Sequence, residues 1–157
     1  MPYLVAPEEV EPVVRGLLGV IDVDGGPTDE QLELDLKALA MEATFHSHRP
    51  EILVRIKLPA YGVDIDLNEK FGCSVAEAVR LLKMAHDLGM NPKGIHFHVG
   101  TQCREFVSYR IGIETAMQTL ATVKQLYDLD LRTINIGGGF PDEIVAEQAG
   151  GLRNFFV

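Results

Sequence analysis

Short apolar runs alternate along this chain with longer stretches in which apolar residues recur at helical spacing. Four of the short runs are rich in β-branched residues and are bounded by turn signals, and they predict strands near 18–24, 52–58, 94–99 and 133–137. Nearly continuous apolar runs of this kind are typical of parallel strands that are buried on both faces. The alternation therefore predicts an α/β protein built from about four βα units.

The helical stretches carry start and stop signals of their own. Thr28 followed by Gln31, and Ser74 followed by Glu77, form capping boxes at the starts of the first two predicted helices. Gly89 supplies the stop of the second helix. The third predicted helix, over 107–129, has one apolar stripe, typical of a helix that packs on a core, formed by Ile113, Met117, Leu120 and Val123.

The spacing of the units restricts the architecture. Successive predicted strands begin about 40 residues apart, which suits part of a TIM-type (β/α)8 barrel or a doubly wound sheet. Pro141 fits the first position of a fourth helix that would run toward residue 149. Because a complete barrel takes about 250 residues, four units in 157 residues correspond to half of one.

Composition and charge exclude several classes of partner. Hydrophobic residues make up 46% of the chain, which is enough for a core, and the net charge of −9 argues against nucleic acid as a partner. No apolar run has the length of a membrane span, and the first residues do not form a secretory signal. Cys73 and Cys103 are read as free thiols in a reducing compartment. We expect a cytoplasmic protein.

Three successive glycines follow the fourth predicted strand and precede a helix. In parallel α/β proteins, binding sites form at the carboxyl ends of the strands, and N–H groups without side chains can approach a phosphate there. The alternative is a tight turn, for which one glycine is enough. Asp142 and Glu143 suit the helix dipole but would repel a phosphate. The pattern favours phosphate binding by the backbone of Gly137, Gly138 and Gly139.

Two pairs of histidines stand at i, i+2 spacing. His96 and His98 lie on one strand, so they share a face, and three interpretations stay open: a metal pair, one histidine lying flat on an aromatic cofactor, or a satisfied core histidine. No carboxylate cluster accompanies them, which weakens the metal interpretation. His46 and His48 precede a proline and are interpreted as a solvated turn.

Cations and a hydroxyl complete the polar residues near the strand ends. Arg55 and Lys57 share one face of an apolar strand, where a buried cation needs a partner such as an anionic or phenolic oxygen. The alternative is a strand end that leaves the core. Thr101 follows the histidine strand and offers a hydroxyl to a phosphate.

These motifs together resemble a known family. The segment "KFGCSVAEAVRLLKMAHDLGMNPKGIHFHVGTQC", followed by "INIGGGFP", resembles the fold-type III pyridoxal-phosphate decarboxylases that act on ornithine, lysine, arginine or diaminopimelate. The ornithine/lysine branch is the most similar. The clear resemblance covers about residues 50–141, and residues 17–49 fit more loosely.

The resemblance implies a role for each matching position. His98 would stack on the pyridine ring of the cofactor, and Arg55 would lie near that ring. The family does not require a histidine at the position of His96. The phosphate would be held by one hydroxyl, where the family usually has serine, and by the glycine turn: Thr101, Gly137, Gly138 and Gly139.

The resemblance is partial. The family's cofactor-binding lysine has no counterpart, since Lys37 lies inside a capped helix. A Glu-Pro-Gly-Arg-like segment, whose acid pairs with the pyridine nitrogen, and the C-terminal β domain are not found. We therefore expect residues 1–157 to form a single partial barrel domain without catalytic residues of its own, inactive in isolation.

Three hypotheses about function follow. The first is a part of a decarboxylase that uses pyridoxal phosphate and acts on a basic amino acid. The second is a non-catalytic relative with an interaction or regulatory role, and the third is an unrelated metal-dependent barrel. In each case an open half-barrel exposes sheet edges, so we expect a homo-oligomer or a partner chain that supplies the missing strands.

Overall fold

The computed structural model describes residues 28–45, 49–68 and 70–144. The predicted strand near 18–24, the histidine pair at 46 and 48, and the predicted continuation of the fourth helix beyond residue 144 lie outside the described residues. Within the described ranges the chain alternates between helix and strand, as predicted. The helices are α1 (Asp29–Phe45), α2 (Val75–Asp87) and α3 (Phe106–Tyr127), and the strands are β1 (Glu51–Arg55), β2 (Asn91–His96) and β3 (Thr133–Asn135).

The three strands form one parallel sheet in the order β1-β2-β3. This confirms the prediction of parallel strands. The strands end a few residues earlier than predicted, but parallel hydrogen bonding continues beyond them: the N–H of Ile56 donates to His96 O at 2.9 Å, and the N–H of Phe97 donates to Asn135 O at 3.0 Å. Predicted and observed strands therefore overlap, and their boundaries differ.

The register places polar residues side by side across the sheet. Arg55 pairs with His96, and His96 pairs with Asn135. Paired residues in a parallel sheet point to the same face, and side chains alternate between faces along each strand. The next row toward the start of the strands is apolar and packs on the core: Val54, Ile95 and Ile134. One sheet face thus carries the core, and the other carries the polar row.

Half of each predicted capping box, the contact made by the N-cap side chain, is present at the starts of α1 and α2, while the side chains of Gln31 and Glu77 bind Asp35 and Arg80. The N–H of Gln31 donates to Thr28 Oγ1 at 3.2 Å, and the N–H of Glu77 donates to Ser74 Oγ at 3.1 Å. Gly89 follows α2 with φ at +80°, the left-handed conformation of a helix stop. The N-cap contacts and the glycine stop are confirmed, and they are predictable because they depend on neighbouring residues alone.

The predicted apolar stripe of α3 is wrong in part. Ile113 is 37% exposed and Met117 is 59% exposed, whereas Val123 is buried. The buried face of α3 consists of Ser108, Tyr109, Gly112, Ala116, Thr119 and Val123. The reason is that α3 approaches the core closely at Gly112, where a Cβ would lie 2.5 Å from Cε2 of Phe97. Small residues, and not the large apolar ones, let the helix reach the sheet.

No helix within the described ranges has the length and apolar character needed to cross a membrane.

Candidate functional site

The site lies where the chain leaves β2 and β3. The imidazole of His98 runs along the glycine turn at residues 137–139. A Cβ built on Gly137 would lie 3.0 Å from Cδ2 of His98, one on Gly138 would lie 3.5 Å from Nε2, and one on Gly139 would lie 3.2 Å from Cε1. The structure therefore brings together the histidine and the three glycines that the sequence singled out separately.

The three glycines differ in how strictly the surrounding structure requires a residue without a side chain. Gly137 has φ at +68°, and a Cβ there would lie 2.5 Å from Phe97 O. Gly139 has φ at +86°, and a Cβ there would lie 1.9 Å from Gly100 O. Gly138 has neither constraint, because its φ lies outside the left-handed region and its Cβ would meet only the His98 ring. The turn itself therefore requires two glycines, and the third keeps space open beside His98.

The backbone N–H groups of the turn also differ in whether they already donate a hydrogen bond. The N–H of Gly137 donates to Asn135 Oδ1 at 2.9 Å, so it is already used. Within the described residues, no such partner accepts from the N–H of Gly138 or Gly139. Successive N–H groups in a turn form a site for an anion. The predicted phosphate role is thus narrowed to the N–H groups of these last two glycines.

Both site histidines are neutral at neutral pH. Burial lowers the pKa of His98, and the charge of Arg55 and the neighbouring His96 lower it further. Burial and Arg55 likewise lower the pKa of His96. A neutral imidazole suits stacking on an aromatic ring, because it adds no charge beneath that ring.

The two imidazoles differ in tautomer. Nδ1 of His98 accepts from the N–H of Gly100 at 3.0 Å, so the ring proton of His98 lies on Nε2, toward the turn. Nδ1 of His96 lies 3.2 Å from Asn135 O, which can only accept. His96 therefore carries its proton on Nδ1 and offers Nε2 as an acceptor. Within the described ranges, no group of three or more histidine, cysteine or acidic side chains is arranged to hold a metal ion.

Arg55 has an unmet hydrogen-bonding requirement. Its guanidinium lies 5.1 Å above the ring of Phe71, and burial lowers its pKa. Its Nε and Nη2 atoms are buried and donate no hydrogen bond within the described part of the chain. Because a buried donor without a partner is costly, an anionic or phenolic ligand oxygen would fit here. Lys57, on the same face of the strand, is exposed, although its neighbours Ile56 and Leu58 are buried in the core.

Thr101 lies in the loop that borders the glycine turn. Its N–H donates to Ile65 O at 3.1 Å, and its carbonyl accepts from the N–H of Asp64 at 2.9 Å. The long loop between β1 and α2 thus packs on the segment after the histidine strand. The same segment reaches the glycine turn directly, because the N–H of Cys103 donates to Gly139 O at 2.7 Å.

Sequence reasoning missed three residues of this site. Gln102 donates from Nε2 to Asp142 Oδ2 at 3.1 Å and accepts from the N–H of Asp142 at 2.7 Å, which holds that carboxylate at the helix start. Tyr109 donates its hydroxyl to Gly138 O at 3.1 Å. Of the three, only Asn135 has a signal in the sequence, as a polar residue within an apolar strand. Gln102 and Tyr109 have none, because the residues that they bind lie 40 and 29 positions away along the chain.

The fold and these residues define a class of protein: a parallel α/β domain with its candidate site at the strand ends. Residues 27–151 match the family model described as "Pyridoxal-dependent decarboxylase, pyridoxal binding domain". The chain belongs to this family. The match confirms the family resemblance and extends beyond the region of about 50–141 in which the sequence motifs were clear.

Individual relatives agree with this assignment. The chain is 35% identical over 113 residues to lysine/ornithine decarboxylase of Selenomonas ruminantium, covering 72% of this chain and 27% of the relative. It is 32% identical over 92 residues to antizyme inhibitor 2 of Xenopus laevis, covering 56% and 20%. The solved structure of lysine/ornithine decarboxylase from Vibrio vulnificus, complexed with cadaverine, is similar with a TM-score of 0.54 and 30% identity, covering 71% and 25%. The chain spans about a quarter of the length of these proteins.

Proposed function

We propose that this chain is the cofactor-binding part of a pyridoxal-phosphate-dependent decarboxylase that acts on a basic amino acid of the ornithine or lysine type. The observation that carries the proposal is the side-chain-free Gly138 beside a neutral His98, next to two N–H groups without a partner in the described residues. The family supports the cofactor. The names of the relatives support the substrate class.

The residues present fit this cofactor. His98 offers an uncharged ring face for the pyridine ring, and the buried donors of Arg55 require an oxygen. The phosphate would be bound by Thr101 and by the N–H groups of Gly138 and Gly139. When bound, pyridoxal phosphate supplies an electron sink for the negative charge left by loss of carbon dioxide. This chain contributes the binding and orientation of the cofactor.

The proposed architecture is a partial (β/α)8 barrel. The polar row formed by Arg55, His96 and Asn135 would then line the interior of the barrel, and the apolar row behind it would pack on the outer helices. In a sheet of this kind, unpaired edges associate with further strands. We therefore expect the isolated chain to form a homo-oligomer or to require a chain that supplies those strands. Sedimentation as a monomer of 17.3 kDa at micromolar concentration would contradict this.

Ligand titration tests the cofactor site. We expect weak but saturable binding of pyridoxal phosphate to the wild-type chain, and Gly138→Val should weaken it further than Thr101→Ala does. The valine methyl groups would fill the space 3.5 Å from His98 Nε2, whereas the threonine change removes one hydrogen bond worth about 1 kcal/mol. Gly138→Ala serves as the control for folding. Equal affinity of Gly138→Val and wild type would place the phosphate elsewhere.

A second candidate function is a non-catalytic, regulatory role. The similarity to antizyme inhibitor 2 favours considering it. The same titration separates the two candidates, because a regulatory relative does not need the cofactor. Absence of saturable binding at millimolar pyridoxal phosphate would favour the regulatory candidate.

A further inference from the structure

We propose that Tyr109 is a positioning residue for the anion site, an inference that rests on the function proposed above. Its hydroxyl holds the peptide group between Gly138 and Gly139 in one orientation, so that the N–H of Gly139 is presented to the phosphate. Tyr109 itself does not contact the ligand in this proposal. It acts through the carbonyl that it binds.

The contacts of Tyr109 join two parts of the chain. The residue is buried in the first turn of α3, and its hydroxyl donates to Gly138 O at 3.1 Å. Its ring stacks on Phe140, with the ring centroids 4.9 Å apart and the planes inclined by 13°. Burial raises the pKa of Tyr109, so the hydroxyl stays protonated and remains a donor throughout the neutral range.

The planarity of the peptide bond links this contact to the anion site. In a trans peptide the C=O and the N–H point in opposite directions, and no peptide bond among the described residues is cis. Since Gly138 O points toward Tyr109, the N–H of Gly139 points away from α3. The next carbonyl of the turn is also held, because Gly139 O accepts from the N–H of Cys103 at 2.7 Å. The carbonyl of Gly138 is thus held toward Tyr109, and the N–H of Gly139 is left on the opposite side of that peptide.

The hydroxyl excludes an unfavourable alternative. Glycine has wide conformational freedom, so the peptide between Gly138 and Gly139 would otherwise be able to rotate and turn its carbonyl oxygen toward the anion. That orientation would replace a donor by a partial negative charge. The hydrogen bond from Tyr109 stabilises the orientation that binds, before any ligand arrives.

Tyr109→Phe removes the hydroxyl and keeps the ring that stacks on Phe140. Tyr127→Phe, at the end of the same helix, is the matched control. Dissociation constants should be measured on the full chain for inorganic phosphate, pyridoxal phosphate and pyridoxal, which lacks the phosphate. We expect Tyr109→Phe to bind both phosphate-bearing ligands about fivefold more weakly, the factor that one neutral hydrogen bond provides. Binding of pyridoxal, and all binding by the control, should stay unchanged.

Amide resonances provide a second readout that does not depend on a variant. In the wild-type chain, inorganic phosphate should shift the amide signals of Gly138 and Gly139 more than that of Gly137, whose N–H is held by Asn135. If the Gly137 signal shifts as much, the proposed orientation of the turn is wrong. This measurement can overturn the inference even if Tyr109→Phe fails to fold, because the inference requires that orientation of the turn.

The outcomes separate the inference from the proposed function. If wild type binds pyridoxal phosphate and Tyr109→Phe binds it equally well, the positioning role is wrong and the cofactor site stands. If wild type binds neither phosphate nor pyridoxal phosphate, both the positioning role and the proposed cofactor site are wrong. A loss of affinity by Tyr109→Phe that is equal for pyridoxal and pyridoxal phosphate would indicate general damage and would also overturn the positioning role.

Discussion

The glycine turn allows fold and function to be tested separately by the same substitution at two adjacent positions. Gly139→Ala introduces a Cβ at a residue with φ at +86°, 1.9 Å from Gly100 O. Gly138→Ala introduces a Cβ outside the left-handed region, and its nearest neighbour is the flexible edge of His98 at 3.5 Å. The first change conflicts with the backbone, and the second only occupies the proposed ligand space.

The expected magnitudes follow from these contacts. A left-handed conformation costs a non-glycine residue about 1–2 kcal/mol, and forcing an extra carbon into a filled space costs about 1–3 kcal/mol. Gly139→Ala should therefore lower the free energy of unfolding by about 2–5 kcal/mol. At Gly138, alanine restricts the unfolded chain and meets no backbone atom, so the free energy of unfolding should stay within about 1 kcal/mol of wild type.

Urea unfolding followed by circular dichroism measures this difference through the midpoint, provided that the slope is unchanged. Titration of pyridoxal phosphate into both variants then measures the ligand effect, which we expect for Gly138→Ala even though its stability is preserved. Equal destabilisation by the two substitutions would refute the distinction between them. Unchanged stability of Gly139→Ala would refute the described geometry of the turn.

Two further predictions concern the core and the pH dependence of stability. Gly112→Ala should destabilise the chain by about 1–3 kcal/mol in the same urea assay, because its Cβ would lie 2.5 Å from the ring of Phe97. The control, Ile113→Ala on the exposed side of the helix, should change the free energy of unfolding little. A larger loss of stability for Ile113→Ala than for Gly112→Ala would contradict the packing. The pKa values of His96 and His98 are lowered in the folded state. The unfolded state therefore binds more protons than the folded state below about pH 6.5. The contribution of the two histidines to stability is complete above that pH and is lost as the pH falls. Replacing both histidines by glutamine should reduce the change in the urea midpoint between about pH 7.5 and about pH 5 relative to wild type. If the midpoint of the variant changes with pH as much as that of wild type, the titration of these histidines is not coupled to folding.

The helix starts and the parallel sheet were predictable because their signals are local. Ser74 and Glu77 are three residues apart, and their hydrogen bond depends on that spacing. Continuous apolar runs such as the one around Ile95 indicate strands covered on both faces, and that residue is fully buried. The prediction failed for the face of α3, where Gly112 and Ala116 face the core and Met117 does not. That choice is set by the ring of Phe97, which belongs to another element.

The candidate site shows the same division. The sequence alone was enough to predict a candidate site, because three glycines after a strand and a histidine on the neighbouring strand are unusual as sequence. The differences between these residues became visible in the folded structure. Among the three glycines, only Gly138 is free of a backbone requirement; Arg55 has buried donors without a partner in the described residues; and the hydroxyl of Tyr109 donates to Gly138 O. The physical reason is that capping and periodicity act within a few residues, whereas close approach, desolvation and carbonyl orientation arise from residues tens of positions apart.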